Sequence, residues 1–134
     1  MTATLLSLPL PAPKKEASSQ DHKHWGQLQG SSAALCISQA LSQYKGPIVL
    51  ITADTPSAMK LEKEIAFFLS DNTKHTPITL FPDWETLPYD SFSPHQDIVS
   101  QRLETLFRFT QQGEGIFIVP VNTLMQRLAP TDYL

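Results

Sequence analysis

The 134 residues fit one domain, because a chain of that length can bury about two thirds of the surface it exposes when unfolded. At 41% hydrophobic and 17% charged residues the composition excludes a disordered chain. The net charge of -3, with ten Lys and Arg scattered from Lys14 to Arg127, excludes the electrostatic footprint of a dedicated DNA or RNA binder and leaves any nucleic-acid role indirect.

In chain order, LSLPLPAPKKEASSQ places Pro9, Pro11 and Pro13 at alternate positions before a polar run, a pattern that favours extended polyproline conformations and cannot bury a face. Residues 1–20 are therefore expected as a flexible Pro-rich leader, open to use as a proline-motif ligand, with residues 21–134 as the α/β domain. The apolar run LLSLPLP has no basic residue before it and is broken by proline, so it matches neither a signal peptide nor a membrane span. HWGQL, His24 to Leu28, is a weak candidate strand. Ser31 or Ser32 can cap a helix running to about Tyr44, with Leu35, Leu41, Ala34 and Ile37 or Ser38 toward the core, until Gly46 and Pro47 end it. The single cysteine, Cys36, lies in this apolar stretch and reads as a buried, inert thiol, and the composition suits a reducing cytoplasm.

IVLIT, Ile48 to Thr52, is a short β-branched run between breakers and predicts a fully buried strand. Thr55 with Pro56 signals a helix start, and Leu61, Ile65, Phe68 and Leu69 form one stripe of a helix ending near Asp71. Ile78 to Phe81 predicts a second strand. PDWETLPYDSFS, with Pro82 and Pro88, then forms an irregular loop. Ser93, Pro94 and Gln96 make an S-x-x-Q capping box, followed by a helical stripe of Ile98, Val99, Leu103, Leu106 and Phe107. Gly113 and Gly115 stop that helix, Ile116 to Val119 predicts a third buried strand, and Asn122 can cap a last short helix through Leu128.

Short apolar strands alternating with helices predict an open, mostly parallel sheet with helices on both faces, because each parallel crossover needs a helix and each helix needs an apolar surface to cover. Ligands bind such sheets at the carboxyl ends of the strands, here the loops after residues 28, 52, 81 and 119. A phosphate-binding loop in that setting reads GxxxxGK followed by Ser or Thr: glycine lets backbone N–H groups wrap phosphate, lysine reaches the terminal phosphates and the hydroxyl holds magnesium. In QLQGSSAA, aligned on the helix start, Gln27 stands at the first glycine, Ser32 at the second, Ala33 at the lysine and Ala34 at the hydroxyl position. Gly30 and Ser31 remain in the interior. The segment reads either as a turn and cap or as a degenerate phosphate loop, and in both cases no catalytic residue and no bound cofactor is expected.

Other constellations are incomplete. Asp83 and Glu85 follow the strand ITLF as a magnesium-holding acid would, but no phosphate lysine acts beside them. His22 and His24 make an H-x-H pair with no further ligand at metal spacing, so no metal site is expected. Ser91, His95 and Asp97 are the residue types of a triad without a nucleophile elbow or oxyanion glycine. The loop residues Trp84, Glu85, Tyr89, Asp90 and Phe92, with His95 and Arg102 on the helix that follows, are candidates for partner or interdomain contact. Aromatics both anchor interfaces and fill cores, so packing within the domain is the competing reading, and Arg102 could pair with one of the acids.

LFPDWETLPYDSFSPHQDIVSQRLETL, followed by GIFIVPVNTLMQRL, resembles the start of the bacterial transcription-repair coupling factors, and the resemblance spans roughly residues 24–134. That family opens with a module similar to the excision-repair helicase UvrB in which the phosphate loop has decayed. The resemblance implies a P-loop NTPase or helicase-like α/β fold, truncated here at its C-terminal end. It implies a non-catalytic scaffold and recruitment domain of a larger protein. That parent would use ATP and magnesium in a distant DNA-translocating motor, displace stalled RNA polymerase and recruit UvrA, in the cytoplasm and away from membranes. Its UvrA-contacting surface is attributed mainly to the next domain. The chain is shorter than UvrB across Trp84 to Pro94, where UvrB carries a hairpin that clamps DNA, so damage verification is not expected. An active UvrB-like ATPase domain and a free-standing short adaptor are the alternatives.

Overall fold

The computed structural model describes residues 24–41, 44, 46–69, 76–86, 91, 93–111 and 114–128. The expected leader, His22, Tyr89, Asp90 and Phe92 lie outside the described residues. The elements run α1 (Ser32–Leu41), β1 (Pro47–Thr52), α2 (Thr55–Phe68), β2 (Ile78–Leu80), α3 (Gln96–Gln111), β3 (Gly115–Pro120) and α4 (Val121–Leu124). The three strands form a parallel sheet in the order β1-β3-β2. β3 is central and buried, as its unbroken apolar run predicts, with Ile48 and Ile78 both in register with Ile116.

Alternation along the strands sorts the side chains onto two faces. Ile116 and Ile118 join Ala34, Ala58, Ile65 and Leu69 in the core, so α1 and α2 cover that face. Phe117 points the other way and meets Phe109 of α3 edge-on, with ring centroids 4.9 Å apart. The chain steps outward from β1 to β2 and then back to β3, and crossovers of one hand then place α2 and α3 on opposite faces. Helices on both faces of an open parallel sheet are thus present as expected.

Three elements depart from expectation. Residues 24–28 form no strand: Gln27 has φ 59°, a left-handed conformation that interrupts an extended run, and residues 24–30 are exposed. β1 is not fully buried; it alternates, with Val49 47% and Ile51 61% exposed, because α3 lies over β3 and leaves the outer half of β1 open. On α3 the buried residues are Arg102 and Thr105, while Leu103 and Phe107 face outward. Ile98, Val99 and Leu106 of the predicted stripe are half-buried, so the inward face keeps these three and takes Arg102 and Thr105 in place of Leu103 and Phe107.

The helix starts also differ in detail. Asp54 caps α2, its carboxylate accepting the Ser57 N–H at 2.8 Å, and Pro56 sits in the first turn. α3 begins three residues after Ser93: the His95 carbonyl accepts the N–H groups of Ile98 and Val99, and the His95 Nδ1 lies 3.3 Å from the Asp97 N–H. A side-chain acceptor at His95 thus does what the capping box assigned to Ser93. α4 ends at Leu124, and Pro120 rather than Asn122 holds its N-cap position.

Candidate functional site

The first turn of α1 is the place where a phosphate loop would act. Here the Ser32 hydroxyl donates to the Gln29 carbonyl at 2.7 Å, and the Ser32 N–H donates to the same oxygen at 3.2 Å. The Ser31 hydroxyl donates across to Glu64 Oε1 at 2.8 Å, an oxygen also 3.8 Å from the Lys60 ammonium. A carboxylate from α2 therefore stands beside the helix N-terminus that would attract an anion, and its charge opposes a phosphate there. Ala34, at the position of the magnesium-binding hydroxyl, is fully buried in the core, and Ala33, at the lysine position, is half-buried. Gly30 has φ +58°, the left-handed turn that leads into the helix. With no strand feeding it, QLQGSSAA is built as a turn and cap.

The carboxyl ends of β2 and β3 meet in a second, denser cluster. Just beyond β2, the Asp83 carboxylate accepts the Trp84 N–H at 2.7 Å, the Asn122 side-chain amide at 2.6 Å and the Gln126 side-chain amide at 2.5 Å. Two of those donors come from α4 and the turn after it, so Asp83 ties the β2 loop to the β3 loop. Arg102 approaches from α3 and is 3% exposed. Its guanidinium donates to the Pro82 carbonyl at 2.5 Å and to Gln126 Oε1 at 3.2 Å, and it is stacked between Phe81 and Trp84, 4.5 and 4.2 Å from their ring centroids. Burial holds the guanidinium below its ordinary pKa and the Asp83 charge pushes it back up.

This arrangement accounts for several of the predicted contact residues. Trp84 is half-buried and packed on Arg102, and the acid facing Arg102 is Asp83 rather than Glu85. Glu85 is exposed, at φ 57°. His95 and Asp97 are also largely exposed, with Nδ1 3.3 Å from Asp97 Oδ2 on the first turn of α3. The Asp97 contact to the cap is made by its backbone N–H, which Nδ1 accepts. Among the described residues no group of three or more His, Cys, Asp or Glu is arranged to hold a metal ion, and Cys36 is a buried free thiol. Asn122 and Gln126 were not legible as Asp83 partners, since 39 and 43 residues separate them from it. The adjacency of β2 and β3 was the only available signal.

An open parallel α/β layer domain, with its carboxyl edge closed by a polar and cation–π cluster, is the class that fold and site define. No family model matches the chain. It is 46% identical over 114 residues to the transcription-repair-coupling factor of Haemophilus influenzae, covering 85% of this chain and 10% of that protein. The corresponding figures for the Escherichia coli transcription-repair-coupling factor are 45% over 109 residues, 81% and 9%. For the protein of that name from Rickettsia bellii they are 32% over 106 residues, 78% and 9%. The chain belongs, as the homologue of one segment, to the transcription-repair-coupling factor family, and it spans about 10% of the length of the Haemophilus influenzae and Escherichia coli relatives. Among the described residues no helix is long and apolar enough to cross a membrane.

Proposed function

We propose that this chain is the non-catalytic N-terminal scaffold and recruitment domain of a transcription-repair coupling factor. Its parent is read as an ATP-dependent DNA translocase that displaces stalled RNA polymerase and recruits UvrA in the cytoplasm. ATP and magnesium belong to the motor elsewhere in that parent, and this domain takes no cofactor. The observation that carries the reading is the combination, in a homologue of these factors, of Ala34 sealed in the core with Glu64 beside the first turn of α1. A lysine and a magnesium-bound hydroxyl have no counterpart there, and a carboxylate stands where phosphate charge would accumulate.

The domain then contributes by holding surfaces in place. Asp83 and Arg102 fix the two loops at the carboxyl edge, so Trp84 serves the internal frame, while exposed Glu85 and the outer edge of the His95 ring, whose Nδ1 caps α3, are offered for contact with the rest of the parent or with UvrA. A full-length factor lacking residues 1–134 tests this assignment. It is expected to keep DNA-stimulated ATP hydrolysis and polymerase displacement while losing preferential repair of the transcribed strand. Loss of ATP hydrolysis itself, in a deletion protein whose remaining domains stay folded, would place the catalytic function in this segment and overturn the proposal.

A further inference from the structure

The N-terminus of α3 is capped by a side chain that titrates. His95 stands one residue before Gln96, the first of the helix, and its carbonyl accepts the Ile98 and Val99 N–H groups at 3.0 and 3.2 Å. Its ring Nδ1 accepts the Asp97 N–H at 3.3 Å. Helices are ordinarily capped by the side-chain oxygens of Ser, Thr, Asp or Asn. An imidazole differs from these because it gains a proton between about pH 8 and 5. The neutral ring with its proton on Nε2 has a lone pair at Nδ1, whereas both nitrogens of the protonated ring are donors. The same Nδ1 has a second neighbour, Asp97 Oδ2, at 3.3 Å, and the two side chains are 72% and 80% exposed. Charges on the adjoining elements are engaged elsewhere. Asp83 accepts from Trp84, Asn122 and Gln126, and Arg102 donates to the Pro82 carbonyl and Gln126. Glu85 and Arg127 are exposed, and the described ion pair of the ring is with Asp97.

We propose that His95 is an acid-sensitive cap: the neutral ring holds the Asp97 N–H, and a proton taken up from solvent at Nδ1 turns that nitrogen from the N–H to the Asp97 carboxylate, releasing the first turn of α3. The exchange needs no movement of the chain, because both partners of Nδ1 belong to one residue and already lie at the same distance. Two effects weaken the turn on protonation, the loss of its side-chain acceptor and the arrival of a cation at the positive end of the helix dipole. The ion pair gained is solvent-exposed and recovers only part of that loss. The contribution of the cap is therefore present while the ring is neutral and disappears as pH falls. Two turns further along, Arg102 stacks between Phe81 and Trp84 and donates to the Pro82 carbonyl, so α3 stays anchored and the release is confined to its start. That start carries the His95 ring on the outer surface, where acid both frees the backbone and converts a neutral group into a cation.

The test is an NMR titration of the 134-residue chain from about pH 8 to 5, following the His95 ring, the Asp97 amide and the backbone carbon shifts of residues 96–99. The Asp97 amide is expected to move with the ring's own titration, and the open fraction of the first turn to rise about fivefold on protonation, the usual effect of losing one cap. His95→Asn supplies an acceptor that does not titrate, so its Asp97 amide and its helical carbon shifts should stay constant across the same range. Asp97→Asn keeps the N–H and removes the carboxylate, and should lose more of the first turn in acid than the parent chain does. An Asp97 amide that ignores the ring, or a first turn that keeps its helical shifts once the ring is protonated, would overturn the proposal. An acid response that survives in His95→Asn would overturn it as well, since the titrating group would then lie elsewhere. A smaller acid loss in Asp97→Asn would show that the carboxylate does not take over Nδ1, and the exchange of partners would fall.

Discussion

Replacing Arg102 separates a structural cluster from a contact surface. Its guanidinium lies between Phe81 and Trp84 and donates to the Pro82 carbonyl, with 3% of the residue exposed. Each desolvated cation–π contact contributes up to about 2 kcal/mol. A hydrogen bond from a charged donor contributes roughly 1.5–3 kcal/mol. Opposing these is the cost of keeping the charge out of water, evident in the lowered pKa and in a guanidinium nitrogen, Nη2, that has no hydrogen-bond partner. The net loss for Arg102→Ala is about 3 kcal/mol, which for a domain of this size lowers Tm by roughly 10 °C. Arg102→Met keeps the apolar stem and removes the buried charge, and should cost about 1 kcal/mol. Thermal unfolding followed by circular dichroism gives both values, and tryptophan emission should shift to the red in Arg102→Ala as Trp84 is uncovered. A change below about 1 kcal/mol for Arg102→Ala would refute the claim that this cluster holds the carboxyl edge together.

Thr123→Val removes a buried hydroxyl without a partner at almost constant volume, and should raise the stability of the 134-residue chain by about 1 kcal/mol in urea unfolding; a loss of similar size would show that the hydroxyl is satisfied. At Asp54 the hydrogen bonds from Ser57 lower the carboxyl pKa below its ordinary 3.8, so the stabilisation is present above that value and is lost as pH falls through the lowered folded one. Asp54→Ala should therefore lower Tm at neutral pH, and the gap to the parent chain should close in acid. A gap that widens on acidification would contradict the cap.

The parts of the fold set by local chemistry could be read from the residues alone. β3 is a continuous apolar run and lies at the centre of the sheet, and the Leu61, Ile65, Phe68 and Leu69 stripe of α2 faces the core. Missed features depend on contacts distant in sequence. Hydrophobicity assigned Leu103 and Phe107 inward, but Arg102 finds two rings and a carbonyl on the β2 loop, so Arg102 and Thr105 are buried beside the half-buried Ile98, Val99 and Leu106 while Leu103 and Phe107 face outward. The exposure of Val49 and Ile51 follows from which strands α3 covers, which β-branched composition does not encode. In QLQGSSAA the absence of a lysine was visible in the sequence, whereas the carboxylate facing Ser31 comes from Glu64, 33 residues away.

The proposal that this domain carries no nucleotide chemistry is tested most directly by calorimetric titration of magnesium and ATP into the 134-residue chain. With Glu64 bonded to Ser31 beside the α1 N-terminus and Ala34 in the core, no saturable heat is expected, and Glu64→Gln should not create magnesium-dependent binding because the lysine position remains Ala33. Saturable magnesium-dependent binding of ATP at micromolar affinity would contradict the assignment of this domain as a scaffold.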